Sequence, residues 1–547
     1  MPHGARIAAL GAALALALLA AGSARAADLV RPPSLDKPPA GYRLTGRQAI
    51  AIANRAPNAL RTRRSHPGSY PNVFEKSGQR WQVSYYDRAT PAHEIAQVYV
   101  SDDTGRILED WTGFQVAWTM ARGYPGAFAR KVNSPWVWIG LTLLFVAPFI
   151  NVRRPLCLRH LDLAVLMAFG ISVAFFNDAN IGISVPLVYP LLAYLFGRML
   201  WIGLGRARSE PLRLTVPPSW LVVGLLFLVG FRIGLNVTNS NVIDVGYAGV
   251  IGADRIIDGD KLWGNFPADN PHGDTYGPVN YATYVPFEQV LPWSGKWDDL
   301  PAAHAAAVAF DLLCLGLVFL LGRRLRGPPL GIALAYAWAA NPFTLYAMNC
   351  NVNDALVGAF VLAAILAATS SAGSGAIVAL AGMTKFAPFG LAPLFATQSP
   401  RPIRYALGLL AACVPCVVLI LAYGGIHAFY DRTLSFQASR GSPFSIWGLY
   451  GWDGPQAVVE VAAGLFAAAV AFLPRRRDAV GLAALSAAVL IALQLGITHW
   501  FYLYLVWFLG PVSIALLGDS VPDEATSAQP VRWTRWRPRS TAAAAAR

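Results

Sequence analysis

From residue 135 to residue 517 the chain alternates long apolar runs with short polar stretches, several of them rich in arginine. Apolar runs lie at 135–152, 161–177, 183–203, 218–236, 303–322, 328–346, 354–370, 403–424, 456–474, 479–496 and 499–517. Each has about the length, 17–25 residues, that a helix needs to cross a bilayer core, so the pattern predicts about 11 transmembrane helices. The segment 374–397 interrupts the series, because Lys385, Pro388 and Pro393 fall inside it. A full crossing there would place the Arg401/Arg404 loop and the arginines at 475–477 on the wrong sides. A re-entrant or broken helix keeps the basic loops on one face. Irregular backbone at membrane depth is tolerated only against protein or a cavity, so this segment points to a site.

The N-terminal part has a different pattern. Residues 1–26 read as a secretory signal: Arg6, an apolar run from Ile7 to Ala21, and Ala24-Arg25-Ala26 as cleavage motif. Residues 27–130 are hydrophilic and predict a small extracytoplasmic α+β domain. Thr45 caps a helical pattern that runs to Ala53, Trp81–Tyr86 and Ala96–Val100 alternate like strands, and Asp103-Thr104-Gly105-Arg106 turns into Ile107-Leu108. The residues from 518 to 547 are polar and basic and predict a disordered cytoplasmic tail. The fold class expected is an all-α polytopic membrane protein, with about 11 helices and a re-entrant segment, carrying a small N-terminal α+β domain.

Composition agrees with this. The chain is 55% hydrophobic and 14% charged, with a mean hydropathy of +0.44, whereas about a quarter of a soluble domain is charged. The net charge of +14 is not a nucleic-acid footprint, because its arginines sit in short inter-helix loops: Arg153, Arg154 and Arg159, then Arg323, Arg324 and Arg326, then Arg475 to Arg477. The five cysteines lie in or beside apolar segments, and Cys413-x-x-Cys416 lacks the partners of a metal or redox site.

In the expected topology the segments 237–302, 347–353 and 425–455 all face outward, and they hold the chain's unusual polar residues. The longest is acidic, aromatic and rich in Gly and Pro. Its first carboxylate, Asp244, follows a predicted span directly and is a candidate functional acid; Asp254, Asp258 and Asp260 are rivals, although Asp258-Gly259-Asp260 reads as a turn. Lys385, in the middle of an apolar segment, is costly to place there and is a candidate functional cation or an ion-pair partner of Asp354. Arg440 is a second candidate cation. Trp263, Trp293, Trp447 and Trp452 are candidates for stacking on sugar faces or for an interfacial aromatic belt. Glycine-loop nucleotide motifs, zinc spacings and hydrolase motifs are missing from the sequence.

The order of motifs from 215 to 517 resembles the bacterial polytopic glycosyltransferases of the GT-C type, in the subgroup of polyprenol-phosphate-mannose-dependent mannosyltransferases. The resemblance rests on Asp244-Val-Gly-Tyr247, Asp258-Gly259-Asp260-Lys261-Leu262-Trp263, Tyr276-Gly277-Pro278, Asn341-Pro342, Thr384-Lys385-Phe386-Ala387-Pro388, Ser435 to Arg440 before Ser445-Ile446-Trp447, and Tyr502 to Trp507 before Pro511. It implies a polyprenyl-phosphate-sugar donor, a lipid or glycan acceptor, contact with membrane lipid, and no bound cofactor. Asp244 would be the base, with Lys385, Asp354, Arg440, Tyr276 and His499 binding substrate. Where that family often has a His-x-Asp motif this chain has Asn351-Val352-Asn353-Asp354, so the acid is kept and the histidine is not. Separately, the ending Val98 to Leu108 of the N-terminal domain resembles a PepSY domain. The alternative class is a transporter or flippase with Lys385 and Asp354 as a coupling pair.

Overall fold

The computed structural model describes residues 30–518, except 77, 125, 208–211, 213 and 474. The expected signal segment and, from residue 519, the expected tail lie outside the described residues. The chain divides into two units, one ending at Ala127 and including Ser172–Ser184, the other holding Phe128–Ile171 and the chain from Val185.

The first unit is built on an antiparallel four-stranded meander in the order β1 (Tyr70–Lys76), β2 (Arg80–Tyr86), β3 (Glu94–Ser101) and β4 (Ile107–Thr112). Strand alternation sends Val73, Trp81, Val83, Tyr85, Ala96, Val98 and Val100 to one face, where Ala49, Ala53, Ala56 and Ala59 meet them. These alanines come from the helices Gly46–Ala53 and Pro57–Ser65 and, for Ala56, from the link between them, the first helix begun by a full capping box at Thr45 and Gln48. Asp102 fastens the sheet to that helix entry. Its buried carboxylate accepts from Arg43 N at 2.6 Å, Leu44 N at 2.9 Å and Trp81 Nε1 at 2.8 Å. The predicted helix and three strands are present; β1 and the helix Pro57–Ser65 are additions to the sequence reading.

The second unit is helical, and its length and composition make it membrane-embedded. Six helices of the described residues are long and apolar enough to cross a bilayer: Leu158–Asn177, Ile181–Gly203, Pro218–Thr238, Pro301–Arg326, Pro402–Ala422 and Ala479–Gly496. The remaining expected spans form shorter or divided helices among the described residues. Asn341 caps a new helix at Pro342 and so divides 328–349; Pro148 ends the Pro135–Val146 helix in a 3₁₀ turn; Asp354–Leu366 covers 13 residues.

The interrupted segment is a helix, Ser371–Gly382, that breaks at Thr384-Lys385 and returns through a 3₁₀ turn and the helix Ala392–Gln398. Its two feet stay at the same end of the unit, the end of the arginine loops. Arg324 donates to Leu366 O at 3.1 Å, Arg326 to Gly518 O at 3.0 Å, and Arg475 to Thr397 Oγ1 at 2.7 Å. Lys385 therefore sits at the break between these two helices.

Paired charges also lie within the helical body. Arg232 is 1% exposed and forms a salt bridge with Asp311, which accepts from Trp338 Nε1 at 2.9 Å; Arg198 meets Asp162 at 3.0 Å. Buried charge of this kind is tolerated only when paired.

Candidate functional site

Three polar segments dock at the end opposite the arginine loops. The stretch 237–301 is more ordered than its composition suggests: it contains the helices Asp244–Asp258, Pro278–Ala282 and Val285–Val290. Asp244 is thus the first residue of a helix rather than a loop residue. Gly246, Gly249 and Gly252 recur at helical spacing on its buried face because a Cβ there would strike the Asn351 carbonyl, the Tyr284 ring and the Tyr281 ring. The helix start is held from the other side, since Ile243 N donates to Cys350 O at 3.3 Å, Asn241 N to Asn349 O at 3.1 Å, and Asn270 Nδ2 to Asp244 O at 3.0 Å. Asn351 is the bracket, adopting φ 53° and donating to Asn241 O at 2.9 Å and Ser240 Oγ at 3.0 Å.

The Asp244 side chain stays exposed, yet protein surrounds it closely enough that desolvation is the largest influence on its carboxyl and raises it above the ordinary range. The charges of Arg440 and Lys385, with the Val245 N–H, pull the other way. An exposed acid beside two cations, its carboxyl raised by desolvation, is the central feature of the site.

The break at Thr384-Lys385 packs against the Tyr276 segment. Gly277 N donates to Thr384 O and Val279 N to Met383 O, both at 3.2 Å, so Tyr276-Gly277-Pro278 is zipped to the break. Gly277 is obligatory there, because a Cβ would collide with the Met383 carbonyl. Lys385 Nζ lies 2.6 Å from Asp354 Oδ1, and Trp507 Nε1 donates to the same oxygen at 2.7 Å. The rings of Tyr276, Tyr504 and Trp507 surround the ammonium, with centroids at 5.3, 5.4 and 5.4 Å. Asp354 is 0% exposed and, paired with Lys385, positions that cation. Tyr276 is held well above its usual pKa, by burial first and the Asp244 charge second, and stays a neutral donor.

The third segment brings Arg440. After Gly424-Gly425, both at positive φ, a helix, a π-turn over Asp431–Ser435 and the turn Phe436–Ser439 lie against the 264–276 stretch. Arg432 meets Asp274 at 3.6 Å, Gln437 donates to Thr275 Oγ1 at 2.6 Å, and Phe436 stacks on His272 with centroids 4.5 Å apart. The Arg440 guanidinium lies 5.8 Å from the Phe436 centroid and interacts with Asp244. His499 is within electrostatic reach of Arg440 and Lys385, and its Nδ1 shares a hydrogen bond with Ser442 Oγ at 2.8 Å.

The structure therefore brings Asp244, Tyr276, Asp354, Lys385, Arg440 and His499 into one cluster. Tyr504 and Trp507 belong to it as well; the Tyr502 to Trp507 stretch carried part of the resemblance, but neither residue was assigned to the site. Two of the four tryptophans proposed for sugar stacking are core residues: Trp263 packs edge-on to Phe429 at 5.1 Å and Trp447 donates to Leu495 O at 2.8 Å. Trp293 packs on Tyr247 at 5.6 Å, and only Trp452 is exposed among the four. Among the rival acids, Asp258 ends its helix at the left-handed Gly259, and Asp260 pairs with Arg255 at 2.8 Å.

Neither a protein-family model nor a curated protein matches the chain.

Proposed function

We propose that this protein is an integral membrane glycosyltransferase of the GT-C type. It transfers a monosaccharide, mannose in the subgroup it resembles, from a polyprenyl phosphate to a lipid or cell-envelope glycan acceptor on the extracytoplasmic face of a bacterial plasma membrane. The observation that carries this reading is the accessible, desolvated Asp244 carboxylate in electrostatic contact with Arg440 and Lys385.

In this reading Asp244 takes the proton of the acceptor hydroxyl as its oxygen attacks the anomeric carbon from the face opposite the phosphate. The bond between that carbon and the phosphate oxygen breaks, its electron pair stays on the phosphate, and the sugar configuration inverts. A raised carboxyl is a stronger base at neutral pH than an ordinary one. Arg440 and Lys385 stabilise the charge that grows on the leaving phosphate. Asp354 and the three rings hold Lys385 in place, and Tyr276 offers a neutral hydroxyl.

The topology that goes with this function has eleven crossings plus the re-entrant loop, with both the N-terminal domain and the site outside. Support for it comes from the arginine loops gathered at one end of the helical unit and the acidic and aromatic segments at the other. The PepSY-like domain would bind acceptor, wall material or a partner.

A transporter reading is favoured by one observation, the buried Lys385–Asp354 pair at the Thr384-Lys385 break. Transfer of labelled sugar from polyprenyl-phosphate donors, in membranes carrying wild type or Asp244→Asn at equal protein level, separates the two. Wild-type transfer that collapses by roughly 10²–10⁴-fold in the variant supports the enzyme and its base. No transfer from any donor, with movement of a lipid or solute across vesicles, supports the transporter.

A further inference from the structure

At the arginine end of the helical unit, far along the chain from the residues of the catalytic recess, the structure contains a cleft of about 590 Å³. Thr142 and Val146 line it from the Pro135–Val146 helix, and Leu163, Ala164 and Met167 from the Leu158–Asn177 helix. The connecting loop closes one end with Ile150, Val152 and Pro155. The volume is in the range of about 300–1,000 Å³ that ligand sites occupy, and the walls are almost wholly apolar.

The loop is a built element. Asn151 N donates to His160 Nε2 at 2.8 Å, which leaves Nδ1 to donate to Pro155 O at 2.7 Å. Arg153 N and Arg154 N turn back onto Asn151, at 3.2 Å to its Oδ1 and 3.0 Å to its carbonyl. Thr215 braces the same corner through Ala147 O at 2.8 Å. This fixed loop presents Arg153 and Arg154, both exposed, between the lining residues Val152 and Pro155. Beside them Leu156 is 100% exposed and Val152 78%, a combination of bare apolar side chains and cations suited to the headgroup boundary of a bilayer. The nearest acid on the second helix, Asp162, is occupied by Arg198 and Tyr194 and does not oppose an anion.

We propose that this cleft binds one anionic phospholipid of the leaflet at the arginine end. One acyl chain fills the space between the two helices, and the phosphate rests on Arg153 and Arg154. An apolar slot with two cations at its mouth selects a lipid whose chain and charge lie at that spacing, as basic pockets between transmembrane helices do. The site wedges the first two helices of the unit apart at one end and is independent of the chemistry at the other.

The test uses the full chain, extracted in mild detergent and examined by native mass spectrometry, then reconstituted with phosphatidylglycerol or phosphatidylcholine. Wild type should retain one phospholipid through purification and bind phosphatidylglycerol at least fivefold more tightly than phosphatidylcholine. Ala164→Trp should fill the slot and lower retention of either lipid at least fivefold, whereas Arg153→Gln with Arg154→Gln should erase the headgroup preference and leave the chain bound. An electron-density map of wild type gives a readout that no folding defect in a variant can mimic, with acyl density in the cleft as the expected result. An empty cleft, retention unchanged by Ala164→Trp in a normally folded variant, or equal binding of the two lipids overturns the proposal.

Discussion

Lys385 and Asp354 are 31 residues apart in sequence and 2.6 Å apart in space, and neither has free access to water: Asp354 is 0% exposed and Lys385 8%. The pair joins the Thr384-Lys385 break to the start of the Asp354–Leu366 helix. Trp507 completes the same carboxylate oxygen from the last helix. Removing one partner of such a pair leaves a buried charge unpaired, at a cost of about 3–5 kcal/mol. Asp354→Asn and Lys385→Met should each lower the unfolding midpoint of the reconstituted protein sharply. The double variant should lose less than the sum, with a coupling of about 1–3 kcal/mol in a thermal-unfolding cycle. Strict additivity would show that the contact contributes nothing to the fold.

Gly277 tests the docking of the site's second wall. Its φ is ordinary for any residue, so Gly277→Ala introduces no backbone strain, only a methyl group directed at the Met383 carbonyl. The expected result is separation of the Tyr276 loop from the Lys385 break, loss of transfer activity and a destabilisation of about 1–3 kcal/mol, the range for overpacking. Gly230→Ala, on a helix face with open space around it, is the matched control. It should leave activity unchanged and gain up to about 1 kcal/mol of helix stability. Activity assays and unfolding midpoints on both variants decide this.

Part of the residue cluster was legible in the sequence because its signals are costly exceptions. A lysine and two prolines inside an apolar segment marked the break at Lys385, and an acid just beyond a span marked Asp244, which the fold brings near each other. What remained hidden depended on tertiary packing. Gly246, Gly249 and Gly252 read as loop residues by propensity, yet they form a helix because Tyr281, Tyr284 and Asn351 need the room. The Tyr502 to Trp507 stretch was legible as a motif, but only the fold shows that Tyr504 and Trp507 turn toward Lys385. Trp263 and Trp447 failed as sugar platforms for the opposite reason: aromatic composition says nothing about which ring the fold buries. In the small N-terminal unit the Thr45 cap was legible, whereas Asp102, which holds two backbone amides and an indole, gave no local signal.

The rate of transfer should depend on pH through Asp244. A base must be unprotonated to act, so activity falls as pH drops through its pKa, and burial places that limb above the ordinary carboxylate range. Arg440 opposes the shift through its charge. Arg440→Gln should therefore move the limb to still higher pH, in addition to slowing transfer through weaker stabilisation of the phosphate. A pH–rate profile of both proteins checks it. A limb that stays in place would mean that Arg440 does not sense Asp244.

Glu288 gives a stability prediction with a definite sign. It is 2% exposed, its carboxylate accepts from the Trp293 N–H, and burial together with the nearby Asp254 charge pushes its pKa up to about 7. A carboxyl with a higher pKa folded than unfolded binds its proton more tightly in the native state. The protein then binds more protons folded than unfolded between about pH 4.5 and pH 7, so stability is greatest below that window and declines as pH rises through it. Above the window the native state carries the full cost of a buried anion, up to about 3 kcal/mol. Glu288→Gln keeps an oxygen for the Trp293 N–H and never ionises. The variant should match wild type below pH 4.5 and exceed it by about 1–3 kcal/mol at pH 8, measured by thermal unfolding in one lipid at each pH. Trp293 packs on Tyr247, one turn along the helix from Asp244, so this carboxyl also steadies the recess wall. A variant less stable than wild type at pH 8 would mean that the ionised Glu288 holds the wall in place, and that its charge is compensated by the Trp293 contact.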